Sequence, residues 1–170
     1  MKKITLMMIS FFAVAMMSSC GPSAEDAVTY NNTIVHELDR VMMADTVIAA
    51  MEMDKAAMDA TEKNLLAQLN GAIENVKKNG GFDKGTELMD AAMNYLTSYK
   101  SVADSIYSEM IAINSKPLEK LTEDDDTRYK ELQEICNTKM QKVSDKFDSV
   151  QHVFSVKYKF EIEGASSSKK

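Results

Sequence analysis

An apolar heptad pattern between positions 89 and 113 is the feature that most constrains the fold of this chain. Its residues follow one another at steps of three and four, which places them on one stripe of a helix. Such a stripe needs other helices to cover it, so the pattern predicts a helix of a bundle. Gly80-Gly81 before the stripe and Pro117 after it are typical helix boundaries. The stripe consists of Met89, Ala92, Leu96, Tyr99, Ala103, Ile106, Met110 and Ile113.

A second long stripe, with one irregular step, predicts another helix in the last third of the chain. Thr122 precedes it and is followed by the acidic run 123–126, and such a start suits a helix because its dipole favours negative charge in the first turn. A calcium loop is the alternative, but the run lacks the spaced ligands, central glycine and terminal glutamate of an EF-hand. The stripe consists of Tyr129, Leu132, Cys136, Met140, Val143, Phe147, Val150 and Phe154.

The first half of the chain predicts two helices. Ser23 and Asp26 have the spacing of a capping box, so the first helix begins there, and Asp45 is a polar residue on its stripe. We place the break near Met53-Asp54, with Asp54 as N-cap; one continuous helix over residues 24–79, in an elongated three-helix arrangement, is the alternative. The two stripes are Ile34, Leu38, Val41 and Ile48, then Leu65, Leu69, Ala72 and Val76.

Together these patterns predict an all-α fold, an up-down-up-down four-helix bundle formed by residues 24–163. The short connections make successive helices antiparallel neighbours. Alternation with period two is confined to residues 159–163, and the length of 170 residues suits one domain. The serine- and lysine-rich tail, residues 164–170, is expected to be disordered.

The N-terminal segment has the features of an export signal. Met1-Lys2-Lys3 precedes an apolar run over residues 4–17, which is shorter than the about 20 residues of a membrane-spanning helix. A buried helix of the mature protein is the alternative to a signal segment.

The small residues after this run lead directly into a cysteine. Ser18-Ser19-Cys20 resembles the lipobox of bacterial lipoproteins, although Met17 stands where leucine is commonest. The resemblance implies that residues 1–19 are removed as a signal peptide and that Cys20 carries the lipid. Residues 20–23 then form a short tether, and the lipid anchors the protein to a membrane.

The residues after Cys20 predict an outer-membrane location. Gly21 is not the aspartate associated with inner-membrane retention in enterobacterial lipoproteins. The pair Glu25-Asp26 looks like the export signal of surface lipoproteins in Bacteroidota-type cells. We therefore predict a lipid-anchored protein of the cell surface; the periplasmic leaflet is the alternative, because the same acids also suit a helix start.

The net charge argues against two classes of partner, and the cysteine content argues against a disulfide. The net charge is −6, and it becomes −8 once Lys2 and Lys3 are removed, so neither nucleic acid nor an anionic lipid surface is an expected partner. If Cys20 is acylated, Cys136 has no disulfide partner. Cys136 lies on an apolar stripe, which favours a core cysteine over a reactive thiol.

Sequence motifs give no support for catalysis. His36 and His152 each lie two residues from stripe positions and so point away from the predicted core. The chain contains no Glu-x-x-His pair for a di-iron site and no Gly-x-Ser-x-Gly nucleophile elbow. We predict a protein that is not an enzyme and has no cofactor.

A local excess of methionine is the remaining compositional feature. Three interpretations stay open: core filling, a flexible surface for a protein partner, and a copper(I) site at Met51 and Met53. The cluster consists of Met42, Met43, Met51, Met53 and Met58.

Several short stretches resemble a group of small α-helical lipoproteins from Bacteroidota-type bacteria, which are labelled only as surface proteins. They are Cys20 to Ala27 with Tyr30-Asn31, Gly81-Phe82, Asp90-Ala91-Ala92, Tyr99-Lys100, Glu109-Met110-Ile111, Gln151, Phe154 and Tyr158 to Ile162. The resemblance implies a helical surface lipoprotein and transfers no site. We predict that the protein binds an unknown protein, envelope or host partner through a helix face; a periplasmic carrier of a small molecule or copper is the alternative.

Overall fold

The computed structural model describes residues 21–50 and 54–162. The predicted signal peptide, Cys20, Met51, Met53 and the predicted tail lie outside these residues. The helices are α1 (Ala24–Ala44), α2 (Val47–Ala50), α3 (Lys55–Asn79), α4 (Glu87–Ser101), a π-helical segment (Val102–Tyr107), α5 (Ser108–Asn114), a 3₁₀ turn (Leu118–Lys120) and α6 (Glu123–Tyr158).

Side-chain caps fix the starts of α1, α3 and α6 where the sequence predicts them. Ser23 and Thr122 each form a capping box, with Asp26 and Asp125 as the respective partners. The Asp54 carboxylate accepts a hydrogen bond of 2.9 Å from the backbone N–H of Ala57. These bonds satisfy N–H groups that have no partner within the helix. The start of α6 is therefore a helix cap, as predicted.

The break between the first two long helices is wider than predicted. The predicted break near Met53-Asp54 holds for the start of α3, but α1 already ends at Ala44. Asp45 has extended backbone angles, and its carboxylate accepts a hydrogen bond of 3.1 Å from the N–H of Val47, where the short α2 begins. A single continuous helix over residues 24–79 is therefore wrong.

Four long helical segments pack against one another: α1, α3, the continuous run from α4 to α5, and α6. α4 contacts each of the other three, and the predicted stripes supply most of the core. The side chains of Ile34, Leu65, Leu69, Leu96, Met110 and Leu132 are among the largest that are fully buried. The described part of the chain is thus an all-α helical bundle.

Polar contacts also join these helices. Gln151 of α6 donates a hydrogen bond of 3.0 Å to the Asn31 side chain of α1, and both residues are buried. Asn75 of α3 donates one of 3.0 Å to Glu37 of α1. No helix among the described residues combines the length and apolarity that crossing a membrane requires.

Candidate functional site

The predicted methionine cluster does not form one surface. Met42 and Met43 are exposed at the end of α1, and Met43 is 83% exposed. Met58 is only 1% exposed, and its sulfur lies 3.7 Å from the side-chain nitrogen of Asn114. The prediction of Met58 as part of a partner surface is corrected, because its side chain fills the core. Met51 and Met53 lie outside the described residues.

The other predicted candidates are two histidines and one cysteine, which the structure places apart from any possible metal-binding group in the described part of the chain. His36 and His152 are exposed, as their offset from the stripes predicts. Cys136 is a half-buried free thiol, and burial raises its pKa, so the thiolate is disfavoured. Within residues 21–50 and 54–162, no group of three or more His, Cys, Asp or Glu side chains is placed to hold a metal ion.

A tight turn between α3 and α4 brings an aromatic side chain to the end of α6. Phe82 and Gly85 exchange two backbone hydrogen bonds of 2.8 Å, and the two residues between them, Asp83 and Lys84, have positive φ angles. Gly81 is required beside this turn, since a Cβ there would lie 2.3 Å from the Gly85 carbonyl oxygen. The turn therefore presents Phe82 in a fixed position.

Two tyrosine hydroxyls hold this turn against the helices. Tyr30 of α1 donates a hydrogen bond of 2.7 Å to the carbonyl oxygen of Gly80, and Tyr158 of α6 donates one of 3.0 Å to the Asp83 carboxylate. Burial raises the pKa of Tyr30, which keeps its hydroxyl protonated as a donor. The start of α1, the turn and the end of α6 thus form one connected unit.

An aromatic groove opens in this unit, with a volume of about 260 Å³. The rings around it pack edge to face or tilted: Phe82 lies 5.6 Å from Phe154 and 5.1 Å from Tyr158, measured between ring centroids. The apolar part of its lining consists of Tyr30, Phe82, Leu88, Val150, Val153, Phe154 and Tyr158. We call this cavity the aromatic groove.

Two lysines stand at the edge of the aromatic groove. Lys146 and Lys157 both contribute to its lining. The Lys157 amino group lies 4.9 Å from the centroid of the Tyr158 ring, and a hydrogen bond with that tyrosine raises the pKa of the lysine. Glu87 lines the groove as well, so its charged residues carry both signs and stand beside the apolar ones.

One face of α6 combines lysines with exposed apolar residues. Val153 and Val156 are 64% and 63% exposed, and Ile135 is also exposed at the other end of the same line. The positions follow one another at steps of three and four, so they share a helix face. This face, which we call the α6 face, consists of Ile135, Lys139, Lys142, Lys146, Ser149, Val153 and Val156. Asp145 flanks it.

A cluster of polar side chains lies at the break after α1. The Asp45 carboxylate accepts hydrogen bonds from the hydroxyls of Tyr99 and Tyr107, the latter at 3.0 Å. Burial is the main cause that raises the pKa of both tyrosines. A second cavity, also of about 260 Å³, is lined by Tyr107, Met110, Gln133, Cys136 and Asn137.

Comparisons with known proteins found no similar protein. The chain matches no protein-family model, no curated protein sequence and no solved structure. The candidate sites therefore rest on the contacts described above.

Sequence reasoning identified neither the aromatic groove nor the α6 face. The periodicity predicts Phe154 as part of the core stripe, and Phe82 and Tyr158 lie near helix ends, where periodicity says little about contacts. The α6 face did carry a signal, because Lys139, Lys142 and Lys146 recur at steps of three and four. In a chain of net negative charge that repeat could have singled out the face.

Proposed function

We propose that the protein is a non-enzymatic lipoprotein of the outer membrane, anchored by lipid on Cys20 and displayed at the cell surface. Its function is to bind a protein or other envelope or host partner through the α6 face. The observation that supports the proposal most directly is the exposure of Val153 and Val156 in line with three lysines. Val153 and Val156 lie three residues apart, so they form one exposed apolar area beside the lysines, and exposed apolar surface rimmed by polar residues is typical of interaction sites.

The charge of the α6 face indicates the kind of partner. Lys142 and Lys146 are exposed at the centre of the face, and apolar residues lie at both of its ends. A matching partner presents acidic groups between apolar ones, because opposite potentials increase the association rate and select the register of binding. An acidic amphipathic helix fits this description.

We also propose that the bundle has up-down-up-down topology. Two contacts support antiparallel packing of α1 on α3: Tyr30 near the start of α1 reaches Gly80 just beyond α3, and Arg40 bonds Gln68 in the middle of α3. The bond from Gln151 to Asn31 supports antiparallel packing of α6 on α1. With this topology the aromatic groove lies at the bundle end that carries the lipid anchor.

Protease treatment of intact cells, followed by mass spectrometry of the released peptides, tests the location. We expect peptides from α4 and α6 to be released while periplasmic control proteins stay intact. Release only after the outer membrane is opened would contradict surface display. That result would favour a periplasmic carrier with a small-molecule or copper(I) site, for which Met51 and Met53 are the candidate ligands.

Charge reversal on the α6 face tests the binding site. We expect the double variant Lys142→Glu and Lys146→Glu to lose its crosslinked partner complexes on intact cells, since two attractive charges become repulsive. The matched control is Lys63→Glu with Lys77→Glu, which makes the same charge change at exposed positions of α3. Equal loss of complexes in both double variants would show that net charge, and not this face, controls binding.

A further inference from the structure

We propose that an acyl chain of the lipid on Cys20 occupies the aromatic groove, so that the protein covers part of its own anchor. This inference rests on the proposed lipidation of Cys20. The groove would then hold a segment of the same molecule, and the bundle would be held in a fixed orientation close to the membrane.

The surroundings of the groove identify this occupant. Its walls come from the start of α1, the turn after α3, the start of α4 and the end of α6. The two segments that continue from these walls beyond the described residues are the N-terminus and the C-terminal residues. Residues 163–170, which are Glu163 and the tail, read Glu-Gly-Ala-Ser-Ser-Ser-Lys-Lys and offer no apolar side chain larger than alanine. An apolar groove gains little from such a segment. The N-terminus differs from it, because a lipid on Cys20 would supply hydrocarbon to the groove.

The distances allow this contact. Tyr30 lies six residues into α1, which is about 9 Å along the helix axis. Cys20 precedes Ala24 by four residues, a span of at most about 14 Å. An acyl chain extends about 15 Å, which is half of a hydrocarbon core of about 30 Å. A tether that is not fully extended therefore brings the groove within reach of the acyl chain.

The chemistry of the groove also fits an acyl chain. Phe82, Phe154 and Val150 line the interior, and burying hydrocarbon against them removes apolar area from water on both sides. Val153 is 64% exposed at the mouth of the groove although it belongs to its lining, and an acyl chain would cover it. The charged residues of the lining, one glutamate and two lysines, are exposed, so their charged groups can stay in water while hydrocarbon contacts the apolar side chains.

Photocrosslinking of the anchor in the full chain tests the inference. Cells that produce the protein are supplied with a fatty acid that carries a photoreactive diazirine, which the cell incorporates into its lipids and lipoproteins. The protein is purified from membranes, and the mass of its N-terminal peptide is measured before irradiation. After irradiation, peptides crosslinked to the Cys20 lipid are mapped by mass spectrometry.

We expect crosslinked pairs that join the Cys20 peptide to peptides containing Phe82 or Val153. Val153→Glu places a carboxylate at the mouth of the groove, where contact with hydrocarbon is unfavourable, so the yield of these pairs should fall by about tenfold or more. Val156→Glu is the matched control, since Val156 has nearly the same exposure but does not line the groove. It should leave the yield unchanged.

The other outcomes separate the inference from the proposal on which it depends. An N-terminal peptide without lipid would show that the proposed anchoring is wrong, and the inference would fail with it. A lipidated Cys20 peptide whose crosslinks join only membrane phospholipid, or spread evenly over the bundle, would overturn the inference while the anchoring stands. Groove peptides joined to free phospholipid alone would assign the groove to a membrane lipid and would also overturn it.

Discussion

At the scale of single residues, Asp45 is the side chain that explains the most about this structure. On the sequence it interrupts an apolar stripe, and in the structure it ends α1, accepts the N–H of Val47 and binds two tyrosine hydroxyls. A half-buried carboxylate is tolerated here because three donors satisfy it. Asp45 therefore links the break in the first helix to the run from α4 to α5.

Replacement of Asp45 should destabilise the protein more than an ordinary surface substitution. In Asp45→Ala, the buried hydroxyls of Tyr99 and Tyr107 lose their acceptor, and the free energy of unfolding should fall by about 1–3 kcal/mol. Urea denaturation, followed by circular dichroism, measures the change. Asp39→Ala is the control, since Asp39 is exposed on α1, and it should stay within about 0.5 kcal/mol of the parent chain. Equal effects would show that the Asp45 cluster contributes no specific stability.

At the scale of elements, the π-helical segment explains how two tyrosines reach one carboxylate. Tyr99 and Tyr107 are eight residues apart, which in a regular α-helix would separate their directions by about 80°. A π-helical turn holds one more residue than an α-helical turn. With this segment between them, the two side chains point in nearly the directions of residues that are seven positions apart in an α-helix. Their directions then differ by only about 20°. Both hydroxyls can then bond the same oxygen of Asp45.

Deletion of one residue from this segment should therefore be tolerated. Without Ser105, which is exposed, the segment can become a regular α-helix while Tyr107 still faces Asp45. We expect the variant to keep a cooperative urea transition and to lose less than about 2 kcal/mol of stability.

The control deletion is Asn94, an exposed residue in the regular part of α4. This deletion rotates one part of the buried stripe by about 100° relative to the other, so the chain should lose its cooperative transition. If deletion of Ser105 is as harmful as deletion of Asn94, then the π-helical segment does not act as a one-residue insertion.

Periodicity predicted the elements well and their interruptions poorly. The stripes at 89–113 and 129–154 gave the run from α4 to α5 and the helix α6, because burial of one face repeats regularly in sequence. The end of α1 at Ala44 and the π-helical segment could not be predicted in this way. Both lie at the Asp45 cluster, where hydrogen bonds join residues that are more than fifty positions apart in sequence.

The candidate sites were harder to predict for the same reason. The aromatic groove depends on Tyr30, Phe82 and Phe154, which come together only after three helix ends have packed. Met58 shows the opposite limit, since local composition left core filling and a partner surface both open, and packing places its side chain in the core. Composition alone does not specify which face of a helix a residue occupies.

At the scale of the whole molecule, the buried tyrosines predict a loss of stability at alkaline pH. Burial raises the pKa of Tyr99 and of Tyr107 above 10, so both stay protonated in the folded protein. The unfolded chain releases these protons near pH 10. The stabilising effect is therefore complete below about pH 10 and is lost as the pH rises above that value.

Urea denaturation between about pH 8 and about pH 12 tests this dependence. Each such tyrosine lowers the free energy of unfolding by up to about 1.4 kcal/mol per pH unit above its unfolded pKa. Tyr99→Phe should make the fall of the unfolding free energy with pH less steep, by the contribution of one tyrosine. A slope that Tyr99→Phe leaves unchanged would show that other groups cause the alkaline loss.

The proposed location of the whole molecule depends on whether Cys20 carries lipid. Stable membrane attachment needs two or more acyl chains, and the net charge of −8 that the proposed cleavage would leave gains nothing from an anionic bilayer. Labelling of growing cells with an alkyne-bearing fatty acid should therefore mark the wild-type protein and Cys136→Ala, while Cys20→Ala stays unlabelled and keeps residues 1–19. Because Cys136 is half-buried in α6, its replacement is a matched control for the loss of a thiol. Label that disappears from Cys136→Ala but persists in Cys20→Ala would show that Cys136, and not Cys20, carries the lipid. The proposed anchoring would then be wrong, and the aromatic groove would need a different occupant.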